Sequence, residues 1–422
     1  MPVRIVPLTS ADAATVIRVD EAAFFQDSSE YDPTEFLRHW DWDRAFAALP
    51  EQAARTEEAV GVYTSYDMTV TAPGPGCGLR VLPMEGLSWV GVHPDHRRRG
   101  VLRSMMRHHL DWMHDRGIAL GGLHAAEVGI YGRFGYGTSS LYVWLKLGRG
   151  DTLTAPALDE AAAQVRTRYQ PLDSDESRTL IHRLHTGAAA GELGMVTRTE
   201  GMARHWLRDI PSMRRGREPD QVMFAEVDGR PTGYAIFSRK HQWEHARPKG
   251  EVNVNELVAT DPASQLALAR RMLDFDLTTS VEFANRRLDD PLVWWTGGPR
   301  QVDIRVHDGL WLRLVDLPAA LTARGYAAAC DVVLEVVDDA CPWNAGSWRL
   351  AVGADGLASC ARVDAPAQLR LPVQALAEAY LGSRSLVSIA QTGSVEVVDG
   401  TALYAVSRAF RADTEPISAL MF

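Results

Sequence analysis

The opening segment "VRIVPLTSADAATVIRVDEAAFF" sets a short apolar run before Thr9 and Ser10. Either residue can cap a helix that carries Ala14, Val16, Ile17 and Ala22 on its buried side. "AVGVYTSYDMTVTAPG" alternates at period two and predicts a pair of strands ending at the cluster Pro73–Gly76. In "LSWVGVHPDHRRRGVLRSMMRHHL" the period changes: a strand, a bend at Pro94, then a helix from about Arg99. Val101, Leu102, Met105, Met106, His109, Leu110 and Met113 recur there at helical spacing. "IALGGLHAAEVGIYGRFGYG" adds a strand, a short helical segment and a glycine-rich turn. This α/β order describes a first domain over residues 1–148.

"GRGDTLTAPALDEAAA" reads as the connection into a second domain, residues 149–304, whose strands show in "QVMFAEVDGRPTGYAIFSRK" around a hairpin turn at Asp228-Gly229. A repeat crosses the two domains. Shifted by 270 − 103 = 167 positions, "VGVHPDHRRRGVLRSMM" lies without gaps on "LVATDPASQLALARRML". The apolar positions agree and Arg103 meets Arg270, but Arg98, Arg99 and Gly100 become Gln265, Leu266 and Ala267. The pattern is that of a duplicated fold whose second copy keeps its packing and loses its polar loop, the alternative being a chance match of two amphipathic helices. From residue 305 to 422, "DVVLEVVDD", "SWRLAVGADGLASCARV" and "AQLRLPVQALAEAYLG" predict antiparallel strands followed by a helix. "TALYAVSRAF" predicts a last helix, which completes a third, α+β domain.

Composition narrows the function classes. With 44 basic against 54 acidic residues the chain carries a formal net charge of −10, which disfavours a general nucleic-acid or anionic-membrane binder and suits a cationic small molecule. The four cysteines form no CxxC pair, so neither a zinc site nor a disulfide framework is expected, and no metal is assigned. No window is apolar for the roughly 20 residues of a membrane span and the amino terminus lacks a signal-like apolar core, so a cytoplasmic protein is expected.

The chemistry-bearing stretch is "HRRRGVLR". A turn that opens a helix presents backbone N–H groups with no internal partner, and the helix dipole favours an anion there. Gly100 lets backbone approach such an anion without an intervening Cβ, and the arginines add charge-assisted bonds of about 1.5–3 kcal/mol each. A solvated helix start is the plain alternative. Basic residues at a helix amino terminus oppose the dipole, however, so a phosphate-bearing ligand is the better reading.

A strand, RxxGx(G/A) and a helix resemble the acetyl-CoA loop of the GNAT N-acetyltransferases; Arg97 and Gly100 fit, while Leu102 departs from the usual small residue. "HRRRGVLRSMM", "LHAAEVGIYGRFGYG", "DGLWLRLVDLPAALTARGYA", "YLGSRS" and a final phenylalanine resemble the Eis (enhanced intracellular survival) acetyltransferases of actinobacteria, over all three domains. The resemblance implies tandem GNAT folds, the second degenerate, followed by a sterol-carrier-protein-like α+β domain, assembled as a homohexamer. It implies acetyl-CoA as co-substrate, with Val90, Gly91 and Val92 pairing with the pantetheine arm, Arg98, Arg99, Gly100, Val101, Leu102 and Arg103 wrapping the pyrophosphate, and Ala126 and Glu127 lining the site. Tyr131 then corresponds to the general acid and the carboxylate of Phe422 to the general base. Glu85, Glu127 and His124 remain alternative bases, and Asp27, Glu30, Trp40 and His124 are candidate contacts for the amine. The expected activity is that of an acyltransferase acetylating primary amines of aminoglycoside-like polycations or lysine side chains. A lipid carrier that uses the GNAT units as scaffold is the alternative.

Overall fold

The structure, a computed structural model, describes residues 2–25, 32–38, 40–417 and 420–422. Its first sheet is a run of antiparallel neighbours, β1 (Val3–Pro7), β2 (Ala45–Pro50), β3 (Gly61–Pro73) and β4 (Leu79–Val92), after which β5 (Leu120–Leu123) lies parallel to β4. The strand Trp311–Leu314 closes on β5 antiparallel, with Trp311 opposite Leu123, and also pairs with Gly137–Thr138. The helices are α1 (Ala13–Phe24), α2 (Pro33–Phe36), α3 (Val101–Asp115) and α4 (Val128–Tyr131).

The period-two stretch expected to be two strands is the single strand β3. It runs unbroken through Ser65 and Asp67, with no glycine or proline between Gly61 and Pro73, and the chain reverses only after Pro73, through the turn Pro75–Cys77. On α1 the buried residues include Ala13, Val16, Ile17 and Val19, while Ala14 is exposed and Ala22 half-buried. A turn of 3-10 helix, Ser10–Asp12, precedes α1, and the buried residues Ala13, Val16, Ile17 and Asp20 stand at i, i+3, i+4 and i+7, a spacing that turns Ala14 outward. Helix α3 follows its sequence pattern: Val101, Met105, Met106, His109, Leu110 and Met113 are buried and Leu102 is half-buried. Each of its buried Met, Leu and Val side chains contributes about 1.5–3 kcal/mol, which fixes the helix onto the sheet.

Two compact units result: Met1–Ser139 with Leu310–Asp413 and Phe422, and Ser140–Gly309 with Thr414–Met421. Within the first, Cys330–Val337, Gly346–Val352 and Ala358–Arg362 are successive antiparallel strands. Leu369–Pro372 was expected to continue that pattern but runs parallel to Cys330–Val337, because the chain crosses back to that strand's other edge. Arg324, 0% exposed, lies at the centre of this module and donates to the carbonyls of Gly325 (2.9 Å), Phe410 (2.9 Å) and Tyr380, over the rings of Phe410 and Tyr326. Buried Arg313 grips Asp338 through both carboxylate oxygens at 2.7 and 2.8 Å. Gly135, at φ +81, is a glycine by necessity, since a Cβ there would lie 2.8 Å from both Arg313 Cζ and Val373 Cγ1.

In the second unit the strands order as Asp303–Asp308, Leu141–Gly148, Thr278–Arg286, Gly250–Ala259, Arg230–Lys240, Gln221–Val227 and Arg166–Pro171. The hairpin turn falls where expected, with Asp228 at φ +50 and Gly229 at φ +73, the left-handed pair that a tight turn between twisted strands requires. Helix Pro262–Leu273 packs Leu266, Leu268, Ala269, Met272 and Leu273 into this sheet's core. Thr414–Met421 belongs to the same unit: Ile417, buried, donates its N–H to the carbonyl of Leu193 at 2.7 Å. Among the described residues no helix is long and apolar enough to cross a membrane.

Candidate active site

Strands β4 and β5 are in register only at Glu85 opposite Gly121 and Gly86 opposite Gly122. Beyond that point β4 continues through Val92 and leaves the backbone edge of Leu87–Val92 without a β5 partner. The opposite edge is perturbed at the same level. The β3–β4 register slips between Val62 opposite Gly91 and Thr64 opposite Ser88, and Trp89 takes φ +54. A bulge bends its strand and re-aims backbone groups, and because β5 ends at Leu123 the arm Val90–Val92 extends past it. Gly91 permits close packing behind that arm, where a Cβ would meet Ala23 Cβ at 3.3 Å.

The arm leads into the arginine loop. Arg97, Arg98, Arg99, Gly100 and Arg103 are exposed. Arg98 (φ +59) and Gly100 (φ +88) both take left-handed backbone, and Gly100 caps α3 with no side-chain hydrogen bond and no acidic residue in the first turn. Successive N–H groups turned inward in this way form a concave anion site, with α3's dipole behind it. Val101, 1% exposed, anchors the helix start in the apolar cluster, and Leu102 packs partly against it. Arg97 reaches across to Glu127 at 3.5 Å, tying the loop after β4 to the loop after β5. No ion pair to Arg98 occurs among the described residues. These features suit a pyrophosphate.

The other lip carries the acid-base candidates. Tyr131 ends α4 and is 8% exposed, sharing a core cluster with Leu87, Leu123, Phe134 and Tyr136 and meeting the ring of Tyr136 at 6.1 Å. Burial, and secondarily the charge of Glu127, push its hydroxyl up to about 12, so it keeps its proton at neutral pH. Ala126 and Glu127 are exposed beside it. His124, directly after β5, meets the ring of Phe422 edge-on at 5.0 Å. Glu85 is 1% exposed and paired with Arg44; burial raises its pKa against the pull of that guanidinium.

Trp40 packs edge-on against Trp89 at 5.0 Å, and Phe36 and Trp42 extend the cluster. Trp40 is thus joined to the bulge of β4 by a residue the sequence reading passed over; the signal was an aromatic residue in the strand that feeds the arginine loop. Asp20 was missed as well. It is buried on α1, and desolvation, then Glu21, push its carboxyl up to about 7. Asp27 and Glu30 lie outside the described residues.

Comparison with known proteins bears on this geometry. Residues 4–139 and 194–314 each match an acetyltransferase (GNAT) domain, and residues 317–419 match the sterol carrier protein domain. The chain is 39% identical over 364 residues to an uncharacterized N-acetyltransferase of Streptomyces avermitilis, covering 85% of this chain and 86% of that one. It is 31% identical over 373 residues to the N-acetyltransferase Eis of Mycobacterium tuberculosis, covering 86% of each. The chain belongs to the Eis-like GNAT N-acetyltransferases. A crystal structure of Eis1 from Mycobacterium abscessus is similar over the full length of both chains, with a TM-score of 0.83 at 26% identity. This Eis-like protein is accordingly an enzyme that transfers acetyl from acetyl-CoA to an amine.

The second GNAT unit of this Eis-like enzyme differs from the first where a cofactor would be held. Its strand ends at Ala259 as β4 ends at Val92, again 259 − 92 = 167 apart. Val101, the first residue of α3, maps to 101 + 167 = 268, yet the second helix begins at Pro262, so the loop has become helix. Its first turn is satisfied internally: Asp261 accepts from Ser264 N–H at 2.8 Å, and Pro262 has no N–H to offer. The carbonyl of Leu257, the counterpart of Val90, accepts from buried Arg286 at 2.7 Å, and Arg286 is held by Asp290 at 2.8 Å. Ile417 of the tail joins Leu257, Val258, Gln265 and Arg286 around the remaining small cavity. The second copy has filled its cleft with a guanidinium, a carboxylate cap and Ile417 from the chain's carboxy-terminal segment.

Proposed function

We propose that this Eis-like enzyme acetylates primary amines of polycationic small molecules of the aminoglycoside or polyamine kind, or lysine side chains, at the parting of β4 and β5. The observation that carries the reading is the pairing of an uncapped, arginine-rich helix start with a buried, protonated tyrosine across that split. Val90, Gly91 and Val92 offer strand-edge groups to the pantetheine amides. Arg98, Arg99, Gly100, Val101, Leu102 and Arg103 surround the pyrophosphate, and Ala126 and Glu127 form the facing lip.

In the reaction the amine nitrogen bonds to the thioester carbonyl carbon, the carbon–sulfur bond breaks, and Tyr131 gives its proton to the departing thiolate. The nitrogen loses a proton toward the carboxylate of Phe422. A substrate ammonium near pKa 10.4 and an α-carboxyl near 3.5 are mismatched by about 7 units, so the carboxylate acts through water and by attracting the cation. Trp40 and Trp89 supply an aromatic wall on which a cation gains about 0.5–2 kcal/mol. The net charge of −10 draws polycations in, and family likeness supports a cytoplasmic homohexamer. Release of CoA thiol from acetyl-CoA is followed with kanamycin, spermidine and a lysine peptide as acceptors. The reading predicts amine-dependent turnover with at least one of them, and turnover with none refutes it.

A further inference from the structure

Gly86 sits at the last register before β4 and β5 part, opposite Gly122. It is not among the residues with positive φ, so its backbone conformation is open to any residue. Its surroundings are not. A Cβ at Gly86 would lie 2.8 Å from Cε2 and 3.2 Å from Cδ2 of Phe422, and 2.5 Å from Sδ of Met68. A glycine within a strand weakens it, and one recurrent reason for its presence is the close approach of another group to the backbone. Here two groups come close, Sδ of Met68 from β3 and, on the side of the split, the ring of Phe422. The ring also meets His124 edge-on at 5.0 Å with planes 79° apart, a favoured aromatic geometry. Gly86 on β4 and His124 after β5 therefore hold one ring from two strands.

We propose that Gly86, with His124, is the seat that positions Phe422: the missing side chain admits the ring, and the ring fixes where the terminal carboxylate stands. The proposal rests on the reading that this carboxylate takes part in acetyl transfer. The ring serves as the anchor and the carboxylate as the working group, so the two are separable. Phe422→Ala keeps a carboxylate and removes the anchor. Gly86→Ala keeps both and displaces the ring. Deletion of Phe422 moves the carboxylate back by a residue, and one glycine appended after Phe422 moves it forward while leaving the ring seated.

Steady-state kcat and KM for acetyl-CoA and kanamycin are compared across these variants, with acetyl-CoA binding and thermal unfolding as controls on the fold. Phe422→Ala and Gly86→Ala should each lower kcat by about 10- to 100-fold, the scale of a displacement of roughly 1 Å at a reacting group, with KM for acetyl-CoA within about two-fold. The double variant should be no slower than Phe422→Ala alone, because without the ring there is nothing for the new methyl to displace. Phe422→Tyr should retain most activity. If deletion and glycine extension leave turnover unchanged, the carboxylate reading falls and the proposal falls with it. If they abolish turnover while Phe422→Ala and Gly86→Ala do not change it, the carboxylate reading stands and the seat is refuted. Additive losses in the double variant also refute it, since Gly86 would then act elsewhere, at Met68. Should Gly86→Ala fail to fold, the contrast of Phe422→Ala with Phe422→Tyr decides.

Discussion

Replacing Arg98 and Arg99 together by alanine tests the cofactor loop most directly. Both side chains are exposed, so the substitutions leave the core untouched, and surface changes of this kind shift stability by no more than about 0.5 kcal/mol. Their contribution to binding is larger. A charge-assisted bond to phosphate is worth about 1.5–3 kcal/mol, but exposure and screening by salt reduce it to about 1 kcal/mol for each arginine. The pair then supplies about 2 kcal/mol, or roughly a 30-fold change in Kd. Isothermal titration with acetyl-CoA at low and moderate salt should show that loss, with a weaker salt dependence in the variant. Acetyl-pantetheine, which has the thioester arm and no pyrophosphate, provides the control. The wild-type enzyme should use it poorly, and the double variant no worse. An equal loss with both acyl donors, or no loss with acetyl-CoA, would refute the assignment of these arginines to the pyrophosphate.

Three further outcomes follow from named side chains. Tyr131→Phe removes the proton that the leaving thiolate needs and should lower kcat about 10²- to 10⁴-fold with unchanged acetyl-CoA affinity, measured by single-turnover kinetics and titration. Asp20, whose carboxyl is pushed up to about 7 in the folded chain from 3.8, favours folding fully only below pH 3.8 and loses that contribution as pH rises toward 7. Asp20→Asn should therefore gain about 3 kcal/mol relative to wild type between pH 5 and pH 8 in denaturant titrations, and a pH-independent difference would count against a buried neutral acid. Arg324→Ala leaves a cavity and orphans carbonyls of Gly325, Tyr380 and Phe410; it should cost about 3–5 kcal/mol in the same titrations, and a cost below about 1 kcal/mol would contradict the buried hydrogen-bonding role.

What the sequence made legible were features with a local cause. The seven-residue apolar stripe of α3 and the Asp228-Gly229 turn need only periodicity and left-handed backbone, and both appear where the pattern put them. The arginine loop was legible because unpartnered donors and a glycine at a helix start are a local property. Features that depend on residues distant in sequence were not. The unpartnered end of β4 lies beyond a parallel pairing that lasts two residues and carries a bulge at Trp89, neither of which has a composition signature. The union of Trp40 with Trp89 and the burial of Asp20 against the sheet likewise depend on how α1 and α2 pack. The parallel course of Leu369–Pro372 was missed for the same reason, since strand direction is set by the crossover and not by the strand's own residues.

The duplicated half shows why the alignment of two copies carries more than either copy alone. A helix start can satisfy its free donors from a ligand or from the chain itself, and the two copies make opposite choices. The first caps α3 with Gly100 alone, places arginines before it and leaves Leu87–Val92 of β4 without a β5 partner. The second caps its helix with Asp261 and gives the carbonyl of Leu257 to Arg286. Filling the cleft in this way satisfies each polar group without a ligand, which an unfilled cleft of the same shape would need water or a bound anion to do. Among the described residues the first copy's helix start has no carboxylate cap of that kind, so its loop is the one built to receive an anion from outside, and the arginines of the first copy are explained by what their counterparts have been replaced with.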